Sequence, residues 1–296
     1  MRIFITGGTG LIGSALVKYW RDQHQLTVLT RQPASSMQQS AGLSYINNLK
    51  DADFNQFDAV INLAGEPIAD KRWTDKQKQR ICNSRWQLTE QLSEHIQAAS
   101  SPPACLISGS AVGYYGRQGP EFVSEEHSAF YPEFSHDICA RWENLAQRAA
   151  SEKTRVCILR TGIVLSDQGG ALKKMLPAFR FGLGGPLGNG QQYMSWIHIA
   201  DMVKMIDFLL HSPTLHGPFN AVAPKPVTNK QFSQALAERL KRPARLTMPA
   251  FMLRLLFGEM ADILLYGQRV VPQQALEAGF KFQYPKLPAA LADLDL

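Results

Sequence analysis

Residues 2–13, Arg2-Ile3-Phe4-Ile5-Thr6-Gly7-Gly8-Thr9-Gly10-Leu11-Ile12-Gly13, restrict the fold of this chain more than any other stretch. Ile3, Phe4 and Ile5 form a short apolar run rich in β formers and predict a buried strand. From Leu11 the apolar residues recur at helical spacing, through Ile12, Ala15, Leu16 and Tyr19. The glycines at 7, 10 and 13, with Gly8 completing a Gly-x-Gly-x-x-Gly pattern, therefore fill a strand-to-helix turn. In such a turn one glycine permits the tight bend, one lets the backbone approach a pyrophosphate, and one lets the helix pack on the strand. The start of the helix adds free N–H groups and partial positive charge. Gly7, Thr9, Gly10, Leu11, Ile12 and Gly13 are thus the expected cradle of a dinucleotide, against the plainer alternative of a structural glycine turn.

Downstream, strands and helices alternate. Strands are expected at Leu26–Leu29, Leu43–Ile46, Asp58–Leu63, Ala104–Ile107 and Arg155–Leu159. Helices are expected at Thr74–Ser100 and Phe134–Glu152. This alternation predicts a Rossmann-type doubly wound parallel sheet with right-handed crossovers. Arg31 follows the second strand, where NAD sites usually carry an acid; an arginine there accommodates a 2′-phosphate, which points to NADP. Asn48 and Leu49 after the third strand are a candidate adenine wall or simply an Asn-rich turn. Leu63, Ala64, Gly65 and Glu66 end the fourth strand, at the sheet edge where ligands of doubly wound folds bind.

The regularity breaks after the sixth strand. Gly169–Phe181 reads as a basic amphipathic helix, Gly182–Gln192 as a glycine-rich loop, and 228–296 as helices with short apolar pieces. The expected layout is a Rossmann domain over 1–165, rejoined by 193–212, with a smaller C-terminal α/β substrate lobe from 166–192 and 213–296. The 296 residues, 45% hydrophobic and 19% charged, suit one globular unit of this kind. No apolar run reaches spanning length, and no signal peptide precedes the first strand, so a cytoplasmic protein without a membrane partner is expected. Cys82, Cys105, Cys139 and Cys157 lack C-x-x-C spacing and read as buried thiols. The seven histidines show no metal-ligand spacing, and no metal is expected. The net charge of +6 is scattered, without a basic stripe for nucleic acid. It suits a small, anionic substrate and a monomer or homodimer.

Several stretches together resemble the extended short-chain dehydrogenases/reductases. They are the 6–13 turn, Asn62-Leu63-Ala64-Gly65, Ser108-Gly109-Ser110-Ala111-Val112 with Tyr115-Gly116, Leu159-Arg160-Thr161-Gly162, and Trp196-Ile197-His198-Ile199-Ala200-Asp201. Residues 62–73, Ser84-Arg85, and the 256–272 stretch with Gly258-Glu259-Met260-Ala261 and Gly267-Gln268-Arg269 are similar to the YfcH-like epimerase family. The resemblance implies NADP(H) binding, adds Ser108, Arg160, Thr161 and Gly162 as cofactor contacts, and suggests oxidoreductase or isomerase chemistry. The chain departs from the enzyme pattern at one place. Active short-chain enzymes carry a Tyr-x-x-x-Lys pair on the helix after the fifth strand, the lysine lowering the tyrosine pKa. With Ser110 as the serine and Glu143 as the helix glutamate, those positions fall on Ser135 and Cys139; a shift of two gives Asp137 and Arg141.

The replacement candidates are Ser110, Glu66, Tyr114 or Tyr115, and Asp137. Each has a structural alternative: backbone capping for the serine, packing for the tyrosines, a solvated helix face for Asp137. Glu66 is paired in this reading with Arg72. Lys173, Lys174, Arg180, Arg245 and Arg269 are candidates to grip a diphosphate. Phe251, Leu255, Leu256 and Phe257 read as lobe core, and His198 as a structural histidine.

Overall fold

The structure, a computed structural model, describes residues 1–33, 37 and 40–296; part of the expected Pro33–Gly42 loop lies outside them. The strands are β1 (Arg2–Thr6), β2 (Gln25–Leu29), β3 (Leu43–Ile46), β4 (Ala59–Asn62), β5 (Cys105–Ala111), β6 (Phe122–Val123), β7 (Arg155–Thr161), β8 (Ile163–Leu165), β9 (Tyr193–Met194), β10 (Trp196–His198), β11 (Gly217–Ala221), β12 (Val227–Thr228) and β13 (Arg269–Val270). The helices are α1 (Leu11–Trp20), α2 (Asp75–Ala98), α3 (Phe134–Gln147), α4 (Gly170–Arg180), α5 (Ile199–His211), α6 (Asn229–Leu240), α7 (Ala250–Phe257), α8 (Asp262–Leu265), α9 (Gln273–Glu277) and α10 (Leu287–Asp293).

Seven strands form one parallel sheet in the order β11-β7-β5-β4-β1-β2-β3. β1 lies in its interior, so Ile3, Phe4 and Ile5 are all fully buried, as a strand covered on both faces requires. Their alternation divides them between two cores. Ile3 and Ile5 pack with Leu16 and Trp20 of α1 and Met202 and Met205 of α5. Phe4 points the other way, onto Leu92 and Ile96 of α2 and Ala146 of α3. The sheet is therefore helix-covered on both sides, the doubly wound arrangement that the alternating pattern predicts. The chain crosses from β3 back to β4 on the other side of β1, so the strand order reverses between β1 and β4, which opens a crevice at the carboxyl ends of these two strands.

A third core gathers Leu172, Leu176 and Phe179 of α4, Phe232 and Leu236 of α6, and Leu291 of α10 around Trp196. α6 is well started, since Thr228 and Gln231 form a reciprocal capping box. His198 closes β10 and caps α5, its Nδ1 accepting from Ala200 N–H at 3.2 Å. Burial lowers its pKa, opposed by Asp293, Asp201 and Asp167, which keeps Nδ1 free to accept.

Two expectations need correction. Residues 217–221 were assigned to the lobe, but β11 is the edge strand of the main sheet, hydrogen-bonded to β7. Ala275 and Phe280 likewise pack in the main core, so part of the C-terminal region returns to the Rossmann unit. A strand of five residues that itself contains Pro218 shows no periodicity that would reveal which sheet it joins. Phe251, Leu255 and Leu256 are not lobe core: they are 71%, 75% and 51% exposed, and only Leu253 of α7 is fully inside. No helix among the described residues is long and apolar enough to cross a membrane.

Candidate active site

The glycine turn is cleared of side chains by backbone contact. Gly7 has φ +71° and lies so close to β4 that an added Cβ would sit 2.5 Å from the Leu63 carbonyl carbon. A Cβ on Gly13 would fall 2.2 Å from Gly7 O and 2.6 Å from Gly8 Cα, so α1 packs directly on the turn. Gly10 is the N-cap of α1, without a side-chain cap and with no acid in the first turn. The opening N–H groups of α1 are thus left to an incoming anion. Thr9 and Gly10 are exposed, and Leu11 and Ile12 half-buried. This is a cradle that a Cβ would fill, and its shape fits a dinucleotide pyrophosphate.

Arg31 is exposed just beyond β2. Asn47 fixes that loop end by donating to Thr30 O at 2.9 Å. The two adenine-wall candidates are otherwise employed. Asn48 caps a 3₁₀ turn, its Oδ1 accepting from Lys50 N–H at 3.0 Å, and Leu49 is buried in the core with Phe4 and Phe54. Ser108 is also withdrawn from solvent: it accepts from Asn62 Nδ2 at 3.2 Å, within a buried set that joins Thr6, Asn62 and Thr89. Gly162 packs against the Ser195 carbonyl, and the Thr161 hydroxyl turns back to Leu159 O.

At the end of β4, Leu63, Ala64 and Glu66 are half-buried and Gly65 exposed. The expected partner of Glu66 is not there. Arg72 lies against Gly258 of the lobe. The arginine at this strand end is Arg85, on α2. Its guanidinium donates to Glu66 O at 3.0 Å and Ile81 O at 3.1 Å, and stands 2.9 Å from where a Gly65 Cβ would be. Sequence reasoning passed over Arg85 as a mere marker of resemblance. The signal was present: Ile81, Arg85, Leu88 and Leu92 share one helical stripe, so a charge stands in an apolar row.

Ser110 does not present its hydroxyl to a substrate. It donates to Glu143 Oε1 at 2.6 Å and is nearly fully buried. Glu143 is also gripped bidentately by Arg160, at 3.0 Å and 2.8 Å. Arg160 Nη1 donates to the Tyr115 hydroxyl at 3.0 Å, and Tyr115 donates onward to Asn220 Oδ1 at 2.8 Å. Arg160 therefore ties β7 to α3 and is not a cofactor contact through its side chain. Burial raises the Tyr115 phenol pKa, with Arg160 opposing, so Tyr115 stays protonated. Tyr114 is different. Its ring lies 3.6 Å from the Arg160 guanidinium carbon, and its hydroxyl has no hydrogen-bond partner among the described residues. Asp137 is exposed on α3, while the neighbouring Ser135 and His136 turn inward, so it does not join this cluster.

In the first of the two registers the slots for the missing pair are Ser135 and Cys139, and neither offers the usual chemistry. Ser135 donates to Glu133 Oε1 at 2.7 Å. Cys139 is buried, and burial pushes its thiol up to about 11, so it is neither nucleophile nor cation at neutral pH. Ser135, Trp73 and Phe134 line a cavity of about 130 Å³ whose other wall is Glu259, Asp262 and Ile263 of the lobe. The lobe is latched over this end of the sheet by Arg117, which bonds Glu133 at 3.0 Å and Asp262 at 3.2 Å, and by the ion pairs Lys78–Glu259 and Lys174–Asp70. β13 adds to β6, placing Arg269 over Phe122. Lys174 and Arg269 are thus engaged in closing the lobe. At the opposite, amino end of the strands, His24, Asp207 and His211 bring ligand atoms within 4.8 Å of one another, a grouping invisible in their spacing; Trp20 Nε1 already donates to Asp207.

A glycine turn cleared of side chains at the reversal of a parallel, doubly wound sheet is the arrangement of an α/β protein of the extended short-chain type. Comparison with known proteins is specific about the family. Residues 3–221 match the NAD dependent epimerase/dehydratase family, and residues 248–294 match a domain of unknown function, DUF1731. The chain belongs to the NAD-dependent epimerase/dehydratase family. It is 36% identical to the mouse epimerase family protein SDR39U1 over 99% of both chains. It is 40% identical to the Mycobacterium bovis epimerase family protein Mb2239, over 98% of this chain and 96% of that one. The crystal structure of human SDR39U1 (isoform 2) with NADPH superposes with a TM-score of 0.92 at 34% identity, covering 99% of each chain. A nucleoside-diphosphate sugar epimerase from Corynebacterium glutamicum aligns with a TM-score of 0.77 at 29% identity, over 99% of this chain and 57% of that one.

Proposed function

We propose that the protein binds NADP(H) and transfers hydride between the nicotinamide and a carbon bearing a hydroxyl or carbonyl on a small anionic substrate, without the usual tyrosine–lysine pair. The observation that carries this reading is the side-chain-free turn at Gly7 and Gly13, facing an open β4 end. The human relative crystallised with NADPH supports the choice of cofactor, as does Arg31 after β2. When bound, NADP(H) supplies the hydride. The chain's own task is to hold the dinucleotide at the α1 N-terminus, orient the substrate, and move one proton. Glu66 and Tyr114 are the groups left for the proton, because Ser110, Tyr115 and Arg160 are committed to one another and Asp137 faces solvent. A phenol without a lysine beside it is a poor base but an adequate acid, so reduction of a carbonyl suits Tyr114 better than oxidation of an alcohol. Epimerisation of a nucleotide sugar is expected to be slow, since it needs both proton removal and return.

The closed Ser110–Glu143–Arg160 network favours one second reading, a non-catalytic NADP(H) sensor or partner-binding protein that keeps the cofactor site alone. Single-turnover hydride transfer from bound NADPH to a panel of small carbonyl acids, followed by nicotinamide absorbance, separates the two. Glu66→Gln or Tyr114→Phe should slow the transfer about a hundredfold and leave NADPH affinity unchanged. Wild-type rates in both variants would remove these residues from the mechanism. No transfer across the panel, with firm NADPH binding, would select the sensor.

A further inference from the structure

Arg85 is a partly buried cation without an anion. No carboxylate lies within ion-pairing distance of it among the described residues. Its hydrogen bonds are carried by Nη1 alone, to Glu66 O, Ile81 O and, at 3.5 Å, Ser84 Oγ. Nε and Nη2 have no acceptor, yet they are not among the fully buried polar atoms left unsatisfied, so that edge of the guanidinium, which lies against exposed Gly65, is not sealed from solvent. A guanidinium placed in an apolar stripe costs desolvation that is recovered only when an opposite charge meets it. Burial accordingly lowers the Arg85 pKa, with Cys139, Cys82 and Glu66 opposing.

The surroundings say which anion. Arg85 stands at the end of β4 on the side of β5 and α3. Its guanidinium carbon is 5.1 Å from the Trp142 ring, and that ring in turn touches Gly109 of β5. The pyrophosphate cradle lies on the other side of β4, where Gly7 meets Leu63. Arg85 therefore stands at the β5 and α3 side of the crevice, near Cys139, one of the two positions where the short-chain pattern would put its lysine. We infer that Arg85 is a specificity residue that binds an anionic oxygen of the substrate, a carboxylate or phosphate, through Nε and Nη2. This rests on the hydride-transfer reading for the meaning of "substrate" and deepens it by naming the chemical class. The side-on fork of Nε and Nη2 matches two oxygens of one carboxylate or phosphate, which a lysine would not do.

The probes are malonate and inorganic phosphate, titrated into NADPH-loaded protein with nicotinamide fluorescence as readout. At least one should bind wild type in the roughly millimolar range. Arg85→Gln should weaken that binding about tenfold or more, Arg85→Lys should retain part of it, and both should bind NADPH within about twofold of wild type. Equal anion affinity in Arg85→Gln, or no anion binding to wild type, overturns the assignment. A tenfold loss of NADPH affinity in Arg85→Gln, with anion binding unchanged, moves the guanidinium to the cofactor pyrophosphate and overturns it as well. Should NADPH fail to bind wild type, the functional reading falls, and the same titration of the protein alone, read by calorimetry, still decides Arg85. If the glutamine variant does not fold, modification of wild type by phenylglyoxal replaces it: the bound anion should slow reaction at Arg85, mapped by peptide mass, about threefold or more, and an unchanged rate counts against the site.

Discussion

Gly13→Ala should abolish dinucleotide binding while most of the fold survives. The added methyl would lie 2.2 Å from Gly7 O and 2.8 Å from Gly7 C, and both are backbone atoms of the turn itself. No rotamer change relieves such a contact, so α1 must lift from β1. Overpacking of this kind costs about 1–3 kcal/mol in stability. The larger effect is on the ligand, because the N–H groups at the start of α1 move with the helix. A loss of about a hundredfold or more in NADPH affinity is expected, roughly 2.7 kcal/mol. Gly119→Ala is the control, since nothing lies within 4 Å of a Cβ there. Calorimetric titration of both variants checks this, and tight binding by Gly13→Ala would show that the turn does not form the cradle.

Glu143→Ala should produce the largest loss of stability. Arg160 and Glu143 side chains are only 6% and 12% exposed, so solvent does little to screen the pair. Removing the carboxylate strands the Arg160 charge with only the Tyr115 hydroxyl and the Tyr114 ring as partners, and it takes away the acceptor of Ser110. Breaking a buried pair by deleting one partner costs about 3–5 kcal/mol. For a chain of this size the melting temperature should fall by roughly 10 °C. Glu143→Gln, which still accepts from Ser110, should lie between. Thermal melts of the three proteins test it, and a shift under about 2 °C for Glu143→Ala would mean that the network is not carrying the junction of β5, α3 and β7.

The central strands and helices were legible because their signals are local and repeated. A continuous run of β formers in Ile3-Phe4-Ile5, a period of 3.6 along α2, and glycines at 7, 10 and 13 each state their own geometry. The lobe was less so. α7 carries an apolar run that reads as core, yet Phe251 and Leu255 face outward, since composition does not say which face meets a neighbour. The candidate site divides along the same line. Its glycine turn is one contiguous stretch, so the strand, bend and helix start could be read from neighbouring residues. Its polar centre joins Ser110, Glu143, Arg160, Tyr115 and Asn220 from four separate segments, and no spacing encodes such a meeting. Ser108 and Leu49 stand at positions that topology places near the cofactor, but strand alternation and a 3₁₀ turn direct their side chains inward. Arg85 and Glu66 are nineteen residues apart in the chain and meet only because α2 folds back along β4.

We propose a crevice that binds NADP(H) and moves protons without the tyrosine–lysine pair of other short-chain enzymes. Calorimetric titration of the wild-type protein with NADPH and with NADH tests it most directly. The exposed Arg31 at the end of β2 should favour the 2′-phosphate, so NADPH is predicted to bind about tenfold more tightly or better, some 1.4 kcal/mol. Equal affinities, tighter NADH, or no heat from either dinucleotide would contradict it.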